Sequence, residues 1–212
     1  MTAGTDDGPT PRDRVFFIGP NKCGTTSLHR LFQAAGIPAL HWRTREPRYL
    51  ALTMVNNMSL GRRPFAGLDH DHVAFSDLFY AGATTYLEGF RRFRAIHAAY
   101  PDAFFVLNTR PVEDWLRSRC AHVSAQKGAM LDRVTQATGL GRDAVVAAWR
   151  AMFETHHAEV RRHFGNHRRF LEFDISRDDP QRLVDFFAPV HALDARAWAR
   201  YKATDHAGAT PA

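Results

Sequence analysis

The sequence predicts an α/β fold, a three-layer sandwich in which a central parallel sheet is covered by helices on both sides. Short uninterrupted apolar segments alternate with longer segments whose apolar residues recur every three to four positions. Such alternation of buried strands and amphipathic helices is typical of parallel sheets. The chain has 212 residues, of which 45% are hydrophobic, so it can form one domain with a sizeable core. We expect that domain to span residues 14–205.

The first third of the chain contains the clearest elements. Residues 15–18 form an apolar segment that predicts a strand buried on both faces. Helical spacing then follows at Leu28, Leu31, Phe32 and Ala35, and Gly36 is placed to end that helix. Residues 37–42 predict a second strand.

The remaining elements follow from the same periodicities. Residues 44–82 are the hardest to interpret, and the apolar spacing from Thr84 to Tyr100 predicts a helix. Residues 124–143 are polar and contain the sequence GLG, so we expect a mobile connection there. The other predicted elements are strands over 103–110 and 169–175, and helices that begin at Pro111, near Val145 and at Pro180.

Composition and charge restrict the classes of protein and partner. The net charge of +6 favours an anionic ligand, without choosing among nucleic acid, membrane surface and phosphorylated or sulfated molecules. Two cysteines are too few for a disulfide framework, so we expect a cytoplasmic protein. No segment reaches the length of a membrane span, and residues 1–13 and 206–212 have the composition of a disordered leader and tail.

The segment GPNKCGTTS, residues 19–27, has the glycine spacing of a phosphate-binding loop between a strand and a helix. Backbone N–H groups at the start of that helix would point at an anion, and three hydroxyl side chains follow. However, Thr25 stands where the lysine of an ATP-binding loop belongs, and the lysine stands at position 22. Lys22 would therefore reach the outer part of a bound group, where a bridging oxygen lies.

A second anion subsite is predicted at the end of the 103–110 strand. Arg110 closes that strand, and Ser118 follows eight residues later on the next helix. Ligands bind at the carboxyl ends of parallel strands, so Arg110 should lie on the same edge as the Lys22 loop. An arginine fork and a hydroxyl suit a second phosphate. Two subsites imply a ligand with two separated phosphate-type groups.

These two motifs together resemble sulfotransferases that use 3′-phosphoadenosine 5′-phosphosulfate (PAPS), in particular small bacterial ones. FFIGPNKCGTTSL resembles their 5′-phosphosulfate loop, and FFVLNTRPVEDWLRSR resembles their 3′-phosphate segment. The resemblance implies a P-loop-kinase-like topology and metal-independent transfer of a sulfuryl group from PAPS to a hydroxyl or amine. The site residues that it implies are Asn21, Lys22, Cys23, Gly24, Thr25, Thr26 and Ser27 for the 5′ end, and Arg110 and Ser118 for the 3′-phosphate.

The general base is predicted from position in the chain. His41 ends the second predicted strand, at the edge where the resembled family often places a catalytic histidine or glutamate, and its ordinary pKa suits proton transfer. Asp77 is the second candidate, as a base or as a residue that orients one. A capping or packing role for His41 is nearly as well supported. The motif of residues 69–71 is interpreted as an acceptor-side loop and not as a metal site.

Two other functions stay open at this point. A P-loop small-molecule or nucleotide kinase would use ATP and Mg²⁺, although no strand ending in a metal-binding aspartate is evident. A basic nucleic-acid-binding domain is suggested only by the isoelectric point of about 9.8. We expect no nucleic-acid partner. We expect a small-molecule, carbohydrate or lipid acceptor held by residues 42–82 and 120–143.

Overall fold

The computed structural model describes residues 13–44, 48–124 and 128–199. The predicted leader falls almost entirely outside these residues, and the predicted tail falls wholly outside them. The sequence also offers Arg200 and Lys202 as candidate contacts to a nucleotide late in the chain, and both lie outside the described residues.

A five-stranded sheet forms the centre of the fold. Its strands run in the spatial order β2-β3-β1-β6-β9, and every neighbouring pair is parallel. The strands are β1 (Val15–Phe17), β2 (Ala39–His41), β3 (Ala74–Ser76), β6 (Phe104–Thr109) and β9 (Phe170–Asp174). Two antiparallel pairs lie apart from this sheet: β4 (Phe79–Ala81) with β5 (Tyr86–Glu88), and β7 (Val123–Ser124) with β8 (Gly128–Ala129).

Helices cover the sheet in the order that the alternating sequence pattern predicts. They are α1 (Thr25–Ala34), α2 (Leu50–Ser59), α3 (Phe93–Ala99), α4 (Val112–Cys120), α5 (Met130–Thr138), α6 (Arg142–Phe164) and α7 (Gln181–Phe187). Helix α6 begins after Gly141, and α5 ends at Gly139, whose φ of 71° is a left-handed conformation that favours glycine.

The strands bury side chains on both faces, as their continuous apolar sequences predict. Alternate residues of β1 point to opposite sides: Phe16 packs in one core cluster and Phe17 in another. The first cluster lies under α2, α3 and the end of α6, and the second under α1 and α7. A third cluster joins α4, α5 and α6 to the β4–β5 pair. The structure thus confirms the predicted α/β class with a parallel sheet between two helical layers.

Two predicted elements are wrong. The helix expected from Thr84 begins only at Phe93, after a 3-10 turn at Gly89–Arg92, because residues 86–88 pair with β4 as a strand. The mobile connection expected over 124–143 contains α5, whose Met130, Leu131 and Val134 are buried. These apolar residues occupy one face of a short helix, and the polar residues between them hide that face in the sequence.

Asp69, in the segment expected to contact the acceptor, instead belongs to the core. It is fully buried, accepts a hydrogen bond from the Tyr100 hydroxyl at 2.9 Å and pairs with Arg63 at 3.2 Å. This arrangement fastens the loop to α3.

Gly19 sits where β1 and β6 approach each other most closely, and it provides a test of the fold. A Cβ at Gly19 would lie 1.9 Å from the backbone oxygen of Asn108. We expect Gly19→Ala to lower the free energy of unfolding by about 3 kcal/mol, measured by urea denaturation, because neither backbone can move without disturbing the sheet. Gly141→Ala, where a Cβ meets nothing within 4 Å, is the control and should cost less than about 1 kcal/mol. Equal losses for both variants would contradict this account.

Candidate active site

The loop between β1 and α1 has features suited to binding an anion. Gly24 precedes α1 with a φ of 73°, and no side chain caps the helix N-terminus. The first turn of α1 contains no acidic residue, so its positive end is not neutralised locally. Thr25 and Ser27 are buried and Thr26 is half-buried. Residues 19–27 offer amide, hydroxyl and ammonium donors without a carboxylate, which is the donor set that a phosphate or sulfate requires.

Buried side chains from neighbouring elements hold this loop in shape. The Asn108 amide accepts a hydrogen bond from the Gly19 N–H at 3.0 Å and donates one to the Cys23 carbonyl at 2.9 Å. The Trp115 indole N–H donates to the Asn21 carbonyl at 2.8 Å. Asn21 is itself buried, and its side-chain amide donates to Met130 Sδ of α5 at 3.7 Å. The loop is therefore fixed before any ligand arrives.

Cys23 serves the loop through its backbone. Its N–H donates to the Pro20 carbonyl at 3.3 Å, which closes the turn, so this amide is used within the loop. The side chain is fully buried, and burial raises the pKa of the thiol well above its usual range. Cys23 is therefore held as a neutral thiol, which is not the reactive form.

Lys22 and Arg110 lie next to each other at the carboxyl edge of the sheet, as predicted. The Arg110 guanidinium donates to the Lys22 carbonyl at 3.3 Å. The Lys22 ammonium lies 3.4 Å from Nδ1 of His122, which follows α4. Ser118 is buried on α4, the helix that starts just after Arg110. Two cationic side chains thus flank the opening of the loop.

His41 and Asp77 also meet at this edge. Nε2 of His41 lies 3.6 Å from the Asp77 carboxylate and 3.4 Å from the Thr26 hydroxyl. Its Nδ1 lies 3.0 Å from the Ser76 hydroxyl, which itself donates to the Leu40 carbonyl. Because that hydroxyl proton is used, Nδ1–H is the donor to Ser76, and Nε2 carries the lone pair. The basic nitrogen therefore faces the anion loop.

Three residues at the carboxyl edge of the sheet have strained backbones. Among the non-glycine residues in the described part of the chain, positive φ values occur at Lys22 (67°), Trp42 (63°) and Asp77 (57°). Each follows a different strand, β1, β2 and β3 respectively. Such conformations cost of order 1 kcal/mol each and collect at functional sites.

Sequence analysis did not identify several residues that shape the site. Asn108, His122 and His156 all contact the loop or its approaches from distant positions in the chain. A polar residue near the end of an apolar strand could have indicated Asn108. No local pattern indicates His122, because its contact with Lys22 depends on how α4 ends.

The adjacent histidines of α6, His156 and His157, hold the ends of β1 and β6, just before the Gly19 loop and Arg110. His156 Nε2–H donates to the Ile18 carbonyl at 2.8 Å, just before the Gly19 loop. His157 donates from Nδ1 to the Phe153 carbonyl and accepts at Nε2 from the Thr109 hydroxyl at 2.8 Å, just before Arg110. Burial lowers the pKa of His156 to about 3 and that of His157 to about 4. Both are neutral structural residues.

The fold and the loop define an α/β protein of the P-loop-like class. The family model described as a sulfotransferase domain matches residues 14–188, so the chain belongs to this family. No protein of curated function matches the sequence. The family assignment confirms the resemblance carried by the Lys22 loop and the Arg110 segment.

The described part of the chain shows neither a membrane-spanning helix nor a metal-binding cluster. Residues 13–44, 48–124 and 128–199 contain no helix that is both long and apolar enough to cross a membrane. The same ranges contain no group of three or more histidine, cysteine, aspartate or glutamate side chains arranged to hold a metal ion.

The buried His156 makes stability depend on pH in a defined direction. Its pKa is about 3 in the folded state and about 6.5 in the unfolded chain, so between these values the unfolded chain binds the extra proton. The contribution of neutral His156 to the free energy of unfolding is therefore fully present above pH 6.5 and is lost as pH falls. From pH 7.5 to 5 the loss due to this residue should be about 2 kcal/mol.

His156→Gln isolates this effect, because the glutamine amide can still donate to Ile18 but does not titrate. Urea unfolding is measured for both proteins at pH 7.5, 6 and 5. The difference in free energy of unfolding between the wild type and the variant should fall by about 2 kcal/mol from pH 7.5 to 5. A constant difference between the two proteins across this range would contradict the assignment.

Proposed function

We propose that this protein is a sulfotransferase that moves a sulfuryl group from PAPS to a hydroxyl, or an amine, of an acceptor. The observation that carries the proposal is that residues 22–27, His41 and Arg110 lie at the carboxyl ends of β1, β2 and β6, where Thr26 contacts His41 and Arg110 contacts the Lys22 carbonyl. Family membership supports the same reaction. The kinase alternative gains no support from the loop, in which Thr25 replaces the lysine of an ATP-binding loop.

The nucleotide would lie along two strand ends. The start of α1, with Thr25, Thr26 and Ser27, would hold the 5′-phosphate through amide and hydroxyl donors. Arg110 and Ser118 would hold the 3′-phosphate. The contact between Arg110 and the Lys22 carbonyl fixes the two subsites relative to each other.

PAPS, when bound, supplies the sulfuryl group: the acceptor oxygen bonds to sulfur, and the bond to the bridging phosphate oxygen breaks and leaves its electron pair there. Lys22 would donate to that bridging oxygen as charge develops on it. His41 would take the acceptor proton on Nε2, the nitrogen that faces Thr26. Asp77 would stabilise the imidazolium that forms, from 3.6 Å away. Each proton and electron pair then has a defined destination, and no residue of the chain becomes covalently modified.

Nucleotide binding can be tested without knowing the acceptor. Saturating adenosine 3′,5′-bisphosphate should raise the melting temperature of the wild type by several degrees, since about 100 Kd of ligand adds about 2.7 kcal/mol. Arg110→Ala should weaken binding at least about tenfold, the effect expected when a charged hydrogen bond is lost. Lys22→Ala should weaken binding of PAPS more than binding of the bisphosphate. Arg117→Ala, at an exposed position on α4, is the control and should leave binding unchanged. A wild type that gains no stability with the bisphosphate would overturn the proposal.

The role of His41 predicts a separate kinetic outcome. His41→Gln should lower kcat by about 10²- to 10⁴-fold, the usual contribution of a general base, while the nucleotide-induced thermal shift stays unchanged. Asp77→Asn should cause a smaller loss, because it leaves the imidazole in place. Release of adenosine 3′,5′-bisphosphate from PAPS in the presence of an accepted alcohol or phenol measures both rates. A His41→Gln enzyme with wild-type kcat would exclude His41 as the base.

A further inference from the structure

An aromatic and cationic cluster continues the site beyond His41 and Asp77. We call Trp42, Arg43, Tyr49, Tyr80 and Arg133 the acceptor-side cluster. Trp42 directly follows His41, and Tyr80 lies three residues after Asp77. The Trp42 N–H donates to the Ser76 carbonyl at 3.2 Å, which ties the cluster to the end of β3. All five side chains are half-buried.

The cluster holds its first arginine in a fixed orientation. The Arg43 guanidinium lies 4.3 Å from the centre of the Trp42 ring and 4.8 Å from that of Tyr49. It also donates to the Tyr49 hydroxyl at 2.8 Å. A stacked guanidinium with a hydrogen-bonded end loses little freedom when it binds an anion, because its plane is already set.

The second arginine approaches the same tyrosines from α5. The Tyr49 and Tyr80 rings lie 4.6 Å apart, and both interact electrostatically with Arg133. Arg133 donates to the Ala81 carbonyl at 3.0 Å. Burial lowers the pKa of Arg133, as expected for a cation whose lost hydration is incompletely replaced.

Neither arginine is neutralised by a carboxylate within the described ranges 13–44, 48–124 and 128–199. Arg43 and Arg133 form no ion pair there, whereas the neighbouring Arg119 pairs with Glu88. The Asp77 carboxylate lies beside His41, and the neighbouring Asp132 pairs with Arg142. Half-buried cations without a counter-ion are expensive unless a ligand supplies the negative charge.

We infer that the acceptor is itself an anion, a small hydroxylated molecule carrying a carboxylate or a group of similar charge that Arg43 and Arg133 bind. This inference rests on the proposed function, because it assigns the acceptor of the same transfer. The two arginines would offset the repulsion between such an acceptor and the charged nucleotide in the neighbouring loop. They would also orient the acceptor so that its hydroxyl, and not its acidic group, faces His41.

Matched pairs of probes test the charge preference directly. The pairs are 4-hydroxyphenylacetate with 4-methylphenol, and glucuronate with glucose. Binding is measured by saturation-transfer NMR with adenosine 3′,5′-bisphosphate present, and sulfuryl transfer is measured with PAPS. The wild type should prefer the acidic member of at least one pair. Arg43→Gln and Arg133→Gln should each reduce that preference about tenfold, which corresponds to about 1.4 kcal/mol. Arg182→Gln, an exposed position on α7, should leave it unchanged.

The same samples separate failure of this inference from failure of the proposed function. A normal thermal shift with the bisphosphate, together with no preference for either acid, overturns the anionic acceptor and leaves the sulfotransferase proposal standing. A preference that survives both arginine substitutions overturns the assignment to this cluster. Absence of the thermal shift in the wild type overturns both proposals.

Discussion

The amide of Asn108 is the contact on which the rest of the site depends. It joins both ends of the anion loop to β6, from a position that is fully buried between parallel strands. Arg110 follows two residues later, so the group that shapes the first subsite also fixes the start of the second. These hydrogen bonds require glycine at position 19, because any Cβ there would collide with Asn108. A single strand-to-strand contact therefore sets the separation between Lys22 and Arg110.

Strain at the strand ends is the second feature that organises the site. Lys22, Trp42 and Asp77 adopt left-handed backbones at the carboxyl ends of three neighbouring strands. An unfavourable conformation persists only where its surroundings determine it, and here the sheet on one side and α1 on the other do so. Each strained residue directs the chain away from the sheet after its strand. These turns leave Lys22, His41 and Asp77 at the same edge of the sheet, where His41 lies beside Asp77.

The sequence predicts those parts of the protein whose signals are local. Continuous apolar strands, the glycine spacing of the loop and the Arg110 segment each lie within a few residues. The four predicted strands are found, whereas the binding roles of the loop and of Arg110 stay predictions. Strand β5 lies within the helix predicted from Thr84, because Tyr86 fits a helical spacing that continues into α3 and local spacing does not reveal the pairing with β4. The contacts of Asn108 with Gly19, His122 with Lys22 and His156 with Ile18 span 85 or more residues or depend on how a helix ends, so no periodicity could reveal them.

The buried pair of Arg119 and Glu88 links α4, the helix that carries Ser118, to β5. Arg119 follows Ser118 on α4, is fully buried and stacks against Trp149 at 4.2 Å, and its guanidinium binds Glu88 of β5. Desolvation makes such a pair a weak source of stability, but its geometry permits only one register between the two elements. Because β5 pairs with β4, which carries Tyr80, a shift of α4 would move Ser118 and the acceptor-side cluster together. One buried ion pair thus couples the position of Ser118, which we propose binds the 3′-phosphate, to that of the cluster which we propose binds the acceptor.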